Sequence, residues 1–459
     1  MITLTPLLAL FTFAAGLSDC QVLQREKNGT ASAIVSGKSD GEGRLYCRID
    51  NGRWTEIAAI RPGDWKAKLP AISTGGPYAI DLRADSTSGA RLAEKGFREV
   101  FVGDLWILAG QSNMVGRAKI DPAHQTDPLV RMLALNGVWQ LATHPLHEQV
   151  TPPGATRPGT GPGLDFAREM VRKFKVPIGL LPCAKGGTSM EQWSPALAAQ
   201  GPASLYGNLL GQVRLAGGRV TGVLWYQGEN DTGTEPSAVY KTKFQAFVAR
   251  LRADLNRPDL PFIYAQLARY VNSPEKFYLQ WNIVQEAQRV SESEIPNVRM
   301  VATVDLEMGD LIHLSRGSQD RLGRRFALAA QGKTGPRLAE ARWDSPNELR
   351  LRLTGVNGEL KTAGGRVFGF EAVTPNDQRK IFFFQVSVDP ANGEVVLLAN
   401  RDGVVRDVPE AIDLWYGRGH DPICNLTDSE DLALPVFGPW RLTPRPPAPP
   451  RTPAPSRKR

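Results

Sequence analysis

A serine, a histidine and an aspartate occupy positions in this sequence that suit acyl-transfer chemistry. Ser112 follows the apolar run 105–109 and a glycine, a pattern that predicts a buried strand closed by a sharp turn. Asp310 and His313 lie three residues apart, about 200 residues later. A serine hydroxyl needs a base, which His313 can supply, while Asp310 can orient the ring. The alternatives are a helix-capping serine and an ordinary surface loop.

Two further polar clusters could supply hydrogen-bond donors to the oxyanion of a tetrahedral intermediate. They span residues 183–189 and 227–231. The candidate donors are the backbone N–H groups of Ser112 and Gly187 and the side-chain amide of Gln227, with Asn230 as the alternative amide. Taken singly, Gly187 could be part of a tight turn and Gln227 a buried hydrogen-bonding residue.

Four more side chains are candidates for binding a sugar substrate, because they lie near these clusters or after a predicted strand: Arg117, His147, Trp193 and Arg269. The alternative is that Trp193 packs a loop and the other three are solvated. No spacing among Cys20, Cys47, Cys183 and Cys424 matches a metal site. The cysteine pairing stays open among three possibilities. For acyl transfer by a serine, a histidine and an aspartate we expect no metal and no organic cofactor.

Each polar cluster follows a stretch that has the pattern of a buried strand. The predicted strands are 105–109, 178–182, 223–226, 262–267 and 298–304. Between them, apolar residues at helical spacing predict helices over 166–174 and 240–255. Strands that alternate with helices indicate a parallel sheet, whose ligands bind at the carboxyl ends of the strands. We predict a flavodoxin-like, three-layer α/β domain over 101–333, with the four clusters at one sheet edge.

The regions on either side of this domain have β-patterning. Alternating segments such as 65–69 and 78–83 predict an N-terminal β-sandwich over 17–100. The run 349–353 and two strands around a Pro-Ala-Asn-Gly turn at 390–393 predict a C-terminal β-domain of sandwich type over 334–440. The alternative is that these strands complete the N-terminal β-domain. The last segment, 441–459, is rich in proline and arginine, so we expect it to be disordered.

The amino end is apolar over 7–13 and small over 14–16, which predicts a signal peptide over 1–16 and export to the periplasm or the extracellular space. The alternative is a buried first strand of the folded domain. A lipid anchor at Cys20 is a further alternative. No later run is long enough for a transmembrane helix.

The positive net charge does not indicate a nucleic-acid partner. The chain carries +8, but six positive charges lie in the segment 441–459, which has no acidic residue, and the rest of the chain carries +2. No basic stripe with interleaved aromatic residues is present in the sequence. The sequence does not fix an oligomeric state.

Four motifs resemble the successive blocks of the SGNH hydrolases. They are Gly-Gln-Ser-Asn-Met at 110–114, Gly-Gly-Thr at 186–188, Gln-Gly-Glu at 227–229 and Asp-x-x-His at 310–313. The pattern is most similar to the sialate O-acetylesterase and acetylxylan esterase branch, and segments at 17–25, 103–106, 161–163 and 437–440 extend the similarity.

The resemblance implies roles for particular residues. Ser112 would be the nucleophile, His313 the base and Asp310 the acid. Ser112, Gly187 and Gln227 would form the oxyanion hole, although the broader superfamily uses an asparagine in the third block, here Asn230. The similarity at 17–25 also favours Cys20 as an ordinary residue of the mature chain.

These observations together predict an exported carbohydrate O-acetylesterase that works through an acetyl-enzyme intermediate on an acetylated sugar. One alternative is the same chemistry on another ester, such as acetylated xylan, pectin or a lipid. The other is a non-catalytic glycan-binding protein that uses its β-domains.

Overall fold

The computed structural model of the 459-residue chain describes residues 11–122, 126–147, 158–272, 278–345, 347–376, 378, 380–399 and 411–442. The residues fall into an N-terminal β region, a central α/β region and a C-terminal β region.

The N-terminal region consists of strands that surround a core of alternating inward-facing residues such as Leu45, Trp65 and Leu82. Three strands form one antiparallel sheet, and four others, paired in a row, form a second. The strands are β1 (Phe11–Ala15), β2 (Val22–Gln24), β3 (Thr30–Ala31), β4 (Ile34–Ser39), β5 (Gly43–Ile49), β6 (Thr55–Ile60), β7 (Gly63–Lys68), β8 (Ile72–Ser73), β9 (Gly75–Ser86) and β10 (Arg91–Gly110). The first sheet has the order β1-β4-β7 and the second β6-β5-β9-β10.

Strand β10 belongs to two regions at once. Its first half pairs antiparallel with β9, and its second half, from Asp104 onward, pairs in parallel with strands of the central region. The predicted boundary between residues 100 and 101 therefore falls inside one continuous strand of 20 residues. No glycine–proline turn signal separates the two halves, so the chain continues in extended form.

Strand β1 lies within the segment that we predict to be a signal peptide. It pairs antiparallel with β4, and the ring of Phe11 stacks on Trp65 with 5.1 Å between centroids. This arrangement matches the alternative to a signal peptide, in which the segment forms the first strand of the folded domain. Removal of residues 1–16 stays a prediction, and residues 1–10 lie outside the described part of the chain.

The central region alternates helices and strands. Its elements are α1 (Ser112–Val115), β11 (Val130–Leu133), β12 (Trp139–Leu141), α2 (Gly163–Phe174), β13 (Ile178–Pro182), α3 (Leu205–Leu215), β14 (Gly222–Tyr226), α4 (Thr234–Asp254), β15 (Phe262–Ala265), α5 (Tyr278–Glu294), β16 (Val298–Val301) and α6 (Arg316–Ala330), with 3₁₀ helices at Pro195–Ala203 and Glu229–Asp231.

The central strands form a sheet in the order β12-β11-β13-β10-β14-β15-β16, in which each pair of neighbours is parallel except β12 and β11. The parallel pairing and the five predicted strands are confirmed. Strands β11 and β12, which extend one edge of the sheet, were not predicted. The three-layer arrangement stays a prediction.

Burial explains why these segments adopt these structures. All five residues of β14 are buried, as expected for a parallel strand that is covered on both faces. Helix α4 buries one stripe, which confirms the predicted helical pattern: Tyr240, Phe244, Phe247, Val248 and Leu251.

The C-terminal region is again composed of strands. They are β17 (Arg337–Ser345), β18 (Glu348–Thr354), β19 (Leu360–Thr362), β20 (Phe370–Val373), β21 (Lys380–Ile381), β22 (Gln385–Val388), β23 (Val395–Leu398), β24 (Ile412–Tyr416), β25 (Leu426–Asp428) and β26 (Phe437–Leu442), with a 3₁₀ turn at Ala363–Gly365. The antiparallel sheets have the orders β17-β18-β23-β22, β21-β20-β24-β26 and β19-β25.

One hairpin and one boundary predicted for this region can be compared with the structure. The predicted hairpin is present, because β22 and β23 pair antiparallel across the turn. The predicted tail begins at Arg441, but β26 extends to Leu442, and Arg441 pairs with Asp413. Residues 443–459 lie outside the described part. The description of both flanking regions as β-sandwiches stays a prediction.

A buried ionic cluster connects helix α6 to the C-terminal region. The guanidinium of Arg325, 1% exposed, pairs with Asp305 at 2.7 Å and with Asp431 at 3.3 Å, and it donates to the backbone carbonyl oxygen of Ala302. Removing one partner of such a cluster leaves an uncompensated buried charge, which is strongly destabilising. The cluster therefore fixes the helix that follows the Asp310–His313 segment.

Three features bear on the remaining expectations. Cys20, Cys47, Cys183 and Cys424 are free thiols. Within the described ranges, no helix is long and apolar enough to cross a membrane. No cluster of three or more metal-ligating side chains occurs in the part of the chain that the structure describes.

A pair of carboxyl groups lies between helices α2 and α6. Gly323 allows the helices to approach closely, because a Cβ added there would lie 2.8 Å from Cβ of Asp165. Burial, together with the charge of Asp320 and a hydrogen bond to it, raises the pKa of Asp165 well above its ordinary value. The carboxyl group of Asp165 therefore keeps its proton at a pH where an exposed aspartate is ionised.

We expect the substitution Asp165→Asn to remove a pH dependence of stability. Folded Asp165 binds its proton more tightly than the unfolded chain does, so wild-type stability should fall as the pH rises above about 4. At pH 8 the variant should exceed wild type in unfolding free energy by about 1 kcal/mol or more, since a tenfold change in proton affinity is worth about 1.4 kcal/mol. The difference should vanish toward pH 4. Chemical denaturation at each pH measures it.

Glu169→Gln on the same helix is the matched control, because Glu169 pairs with the exposed Arg172. An identical pH response of the two variants would contradict the assignment of the pH dependence to Asp165.

Candidate active site

Ser112 lies at the carboxyl end of the central strand β10, where the chain turns sharply. Gly110 has a φ of +123°, and a Cβ there would lie 2.1 Å from the backbone oxygen of Tyr226. Only glycine allows the strand to end this close to its neighbour. The turn places Ser112 at the first position of α1, beside the segments that follow β13 and β14.

The structure brings Ser112, His313 and Asp310 together. Nε2 of His313 is 2.9 Å from Oγ of Ser112, and Nδ1 is 2.8 Å from Oδ2 of Asp310. Both distances are within hydrogen-bond range, so the ring bridges the hydroxyl and the carboxylate. These are the contacts through which a histidine can accept a serine proton while an aspartate orients the ring.

The Asp310 carboxylate is also held by its own loop. Oδ1 accepts hydrogen bonds from the backbone N–H groups of Ile312, at 2.9 Å, and His313, at 2.7 Å. Partial burial alone would raise the pKa of Asp310, but these bonds and the contact with the His313 ring outweigh it, so the pKa is lowered. The carboxylate is therefore ionised and fixed in position.

Two backbone N–H groups near Ser112 are available for a ligand. The N–H groups of Ser112 and Gly187 donate no hydrogen bond to any residue that the structure describes. Gly187 has a φ of +70°, and a Cβ there would meet nothing within 4 Å, so its backbone borders open space. Both N–H groups can therefore donate to an oxyanion, as the groups of an oxyanion hole must.

The two candidate amide donors differ in their surroundings. Gln227 is fully buried, and its Nε2 already donates to the Thr188 carbonyl oxygen and to Asp231. Asn230 is exposed, and Nδ2 donates one hydrogen bond, to the Gly187 carbonyl oxygen at 2.9 Å. The second N–H of Asn230 remains for a ligand, whereas the surroundings of Gln227 do not support a role as donor.

Arg117, a candidate for sugar binding, lies beside the reacting group. A Cβ added to Gly186 would lie 2.4 Å from Nη2 of Arg117 and 3.7 Å from Cβ of Ser112. Burial lowers the pKa of the guanidinium. Its position makes Arg117 a candidate to contact a bound substrate.

The buried positions of two other candidates do not support their assignment to sugar binding. Trp193 is fully buried, donates to the Thr188 hydroxyl and packs on Trp225. His147 is 2% exposed, and burial lowers its pKa to about 4. Their positions in the sequence, near the polar clusters or after a strand, predict a place in the sugar site, but both rings lie in the interior of the fold.

Arg269 lies between the C-terminal region and the catalytic loop. It pairs with Asp421 at 3.0 Å. Two residues further on, the N–H of Val271 donates to the carbonyl oxygen of Leu311, next to Asp310. The structure thus places Arg269 in a segment that supports the loop, with its guanidinium already paired.

Sequence reasoning missed the roles of the residues that flank Ser112. Gln111 and Asn113 are each 1% exposed. The side chain of Gln111 accepts a hydrogen bond from the backbone N–H of Asn230, and that of Asn113 accepts one from the backbone N–H of Leu314, in the loop of His313. A signal was present, because polar side chains that follow a buried strand must find partners in the interior.

Comparison with known proteins identifies the family to which the chain is similar. Residues 102–332 match the family model described as carbohydrate esterase, sialic acid-specific acetylesterase. The chain is 30% identical over 248 residues to a probable carbohydrate esterase of Arabidopsis thaliana, a match that covers 49% of this chain and 89% of the plant protein. It is 23% identical over 348 residues to the human sialate O-acetylesterase, covering 64% of this chain and 65% of that enzyme.

A solved structure extends the similarity to nearly the whole chain. The crystal structure of a carbohydrate acetylesterase from Xanthomonas citri superposes with a TM-score of 0.71 and 26% identity, over 94% of this chain and 99% of that one. The chain thus has the fold of a carbohydrate esterase, and it is an esterase that acts on acetylated carbohydrates. It belongs to the family of sialic acid-specific carbohydrate acetylesterases.

Proposed function

We propose that this chain is an exported serine esterase that removes O-acetyl groups from sialic acid through an acetyl-enzyme intermediate. The observation that carries the proposal is the 2.9 Å contact between His313 Nε2 and Ser112 Oγ, with Asp310 bonded to the opposite ring nitrogen. Export is inferred from the apolar run 7–13 and the small residues 14–16 that follow it.

In the first step, Oγ of Ser112 attacks the carbonyl carbon of the acetyl ester. Nε2 of His313 takes the hydroxyl proton, and the carboxylate of Asp310 stabilises the resulting imidazolium. The carbonyl oxygen becomes an oxyanion. When the tetrahedral intermediate collapses, the bond to the sugar oxygen breaks, and His313 returns its proton to that oxygen.

In the second step, water replaces the sugar as the nucleophile. The water oxygen attacks the acetyl carbon while His313 accepts a proton from the water. The acetyl carbonyl oxygen becomes an oxyanion for the second time. Collapse breaks the bond to Oγ, which recovers a proton from the ring, and acetic acid leaves and ionises to acetate in solution. All groups return to their starting protonation states.

We infer that the oxyanion hole consists of the N–H groups of Ser112 and Gly187 and the side-chain amide of Asn230. The first two donate to no described residue, and the amide of Asn230 has an N–H that is not used. The side-chain N–H groups of Gln227 already donate to Thr188 and Asp231, which supports a structural role for Gln227 in fixing these two residues.

Sialic acid is favoured as the substrate by charge as well as by family. Its carboxylate distinguishes it from the neutral sugars of xylan, and a guanidinium is well suited to bind a carboxylate. Arg117 lies next to Ser112 and is partly desolvated. Acetylated xylan and pectin are the alternative substrates. A purely glycan-binding role is disfavoured, because it would not need the linked serine, histidine and aspartate.

The substitution Ser112→Ala tests the mechanism. It should reduce kcat on a chromogenic acetate by about 10⁴-fold or more, because no other group can form the acetyl-enzyme. Circular dichroism should show an unchanged fold. The control is Ser293→Ala on α5, whose exposed hydroxyl donates only to the backbone of its own helix. Undiminished turnover in the Ser112 variant would refute the mechanism.

Paired substitutions test the choice of amide donor. Asn230→Ala should lower kcat by about 10²–10³-fold with little change in KM, as expected for a group that acts on the oxyanion. Gln227→Met should lower stability by about 1–3 kcal/mol, because it leaves buried partners unsatisfied, but kcat per folded molecule should fall much less. The reverse pattern would assign the donor to Gln227.

Acetate release from O-acetylated sialic acid, acetylated xylan and acetylated pectin tests the substrate. We expect kcat/KM to be highest for the sialic acid. Arg117→Gln should lower that value by about 10- to 100-fold, the worth of a hydrogen bond to a charged group, and should affect the xylan much less. Arg219→Gln, at an exposed surface pair, is the control. A preference for xylan, or an equal loss on both substrates, would contradict the assignment.

A further inference from the structure

The side chain next to the nucleophile holds the loop that carries the base. Asn113 is 1% exposed, and its Oδ1 accepts a hydrogen bond from the backbone N–H of Leu314 at 3.0 Å. Its Nδ2 donates to the carbonyl oxygen of Ile312 at 3.1 Å. These two backbone groups belong to the residues immediately before and after His313, so one amide group brackets the histidine from both sides.

The amide of Asn113 is itself oriented by a buried acid. Nδ2 donates its other hydrogen bond to Oε1 of Glu229 at 2.8 Å, within the 3₁₀ helix that follows β14. Glu229 is 6% exposed. The backbone oxygen of Asn113 accepts a bond from Gln319 on α6. Both N–H groups of the amide are therefore used, and flipping it would place its oxygen against a carboxyl oxygen and a carbonyl oxygen.

This bracket supports the inner side of a loop whose outer side faces solvent. The Asp310 side chain is 53% exposed, and Leu311 is 54% exposed. On that side the loop is held by the N–H of Val271, which donates to Leu311. A displacement of about 1 Å at a catalytic group can cost on the order of 10²-fold in rate. The bracket thus bears directly on the contact between His313 and Ser112.

We propose that Asn113, held by Glu229, is a positioning residue that sets the place of His313 relative to Ser112. The inference rests on the proposed esterase function. It adds a pair of residues that touch neither the substrate nor the reacting atoms and act on the reaction through the backbone around His313.

Glu229 can accept the hydrogen bond from Asn113 whether or not its carboxyl group is ionised. Burial raises the pKa of Glu229 to about 7, and Oε2 has no hydrogen-bond partner among the described residues. A neutral acid keeps a carbonyl oxygen that can accept from Asn113. Glutamine supplies a similar oxygen, so Glu229→Gln preserves the bond, whereas Glu229→Leu removes it at nearly the same volume.

The experiment measures kcat and KM on a chromogenic acetate, with the concentration of active sites set by titration with a serine-directed organophosphate. Asn113→Leu should lower kcat per titrated site by about 10²-fold and change KM by less than about threefold. Glu229→Leu should lower kcat at least tenfold, and Glu229→Gln should stay within about threefold of wild type.

Asn282→Leu is the matched control for the loss of a buried asparagine. Asn282 is 2% exposed and brackets a different loop, since Nδ2 donates to the Gly417 carbonyl oxygen and Oδ1 accepts from the Gly419 N–H. It should lose stability, but its kcat per titrated site should remain near that of wild type.

Three outcomes decide the matter. An Asn113→Leu protein with wild-type kcat per titrated site would overturn the proposal and leave Asn113 a structural residue. Equal losses in Glu229→Gln and Glu229→Leu would also overturn it, because the bond to Asn113 would then be irrelevant. A wild-type chain that neither hydrolyses the acetate nor reacts with the organophosphate would refute the esterase function itself, which is a distinguishable failure.

Discussion

The turn at the end of β10 is the constraint on which the rest of the site depends. Gly110 lies so close to Tyr226 of the neighbouring strand β14 that any side chain is excluded, and α1 begins two residues later. The polar residues on either side of Ser112 are thereby forced into the interior, where each must find partners. Gln111 meets the Gly228–Asn230 segment, and Asn113 meets the histidine loop. One turn thus positions the nucleophile and two of the segments that surround it.

The flanking regions support this arrangement from a distance. Because β10 is continuous from the N-terminal sheets into the central sheet, the strand that ends at the nucleophile is anchored in two hydrophobic cores. On the other side, the ionic cluster around Arg325 fixes α6 against the C-terminal region. That helix begins three residues after His313. Both β regions are therefore part of what holds the base and the nucleophile in register.

Local patterns in the sequence were sufficient for five strands of the central sheet, for helices α2 and α4 and for the reacting groups. Apolar strands followed by polar residues located Ser112 and the histidine loop at one sheet edge, and the observed 2.9 Å contact agrees. What could not be predicted depends on packing between distant segments. Nothing local shows that Trp193 and His147 are interior residues, that Gln227 already has partners, or that β10 extends through a domain boundary. Each of these is decided by neighbours that are remote in sequence.

The most direct test is a crystal structure of the protein after inactivation by a small organophosphate. We expect the phosphoryl group on Oγ of Ser112, with its oxygen within hydrogen-bond distance of the N–H groups of Ser112 and Gly187 and of Nδ2 of Asn230, and with His313 still bracketed by Asn113. A phosphoryl group on another residue, or an oxygen that faces none of these donors, would contradict the convergence of the four segments on one reacting serine.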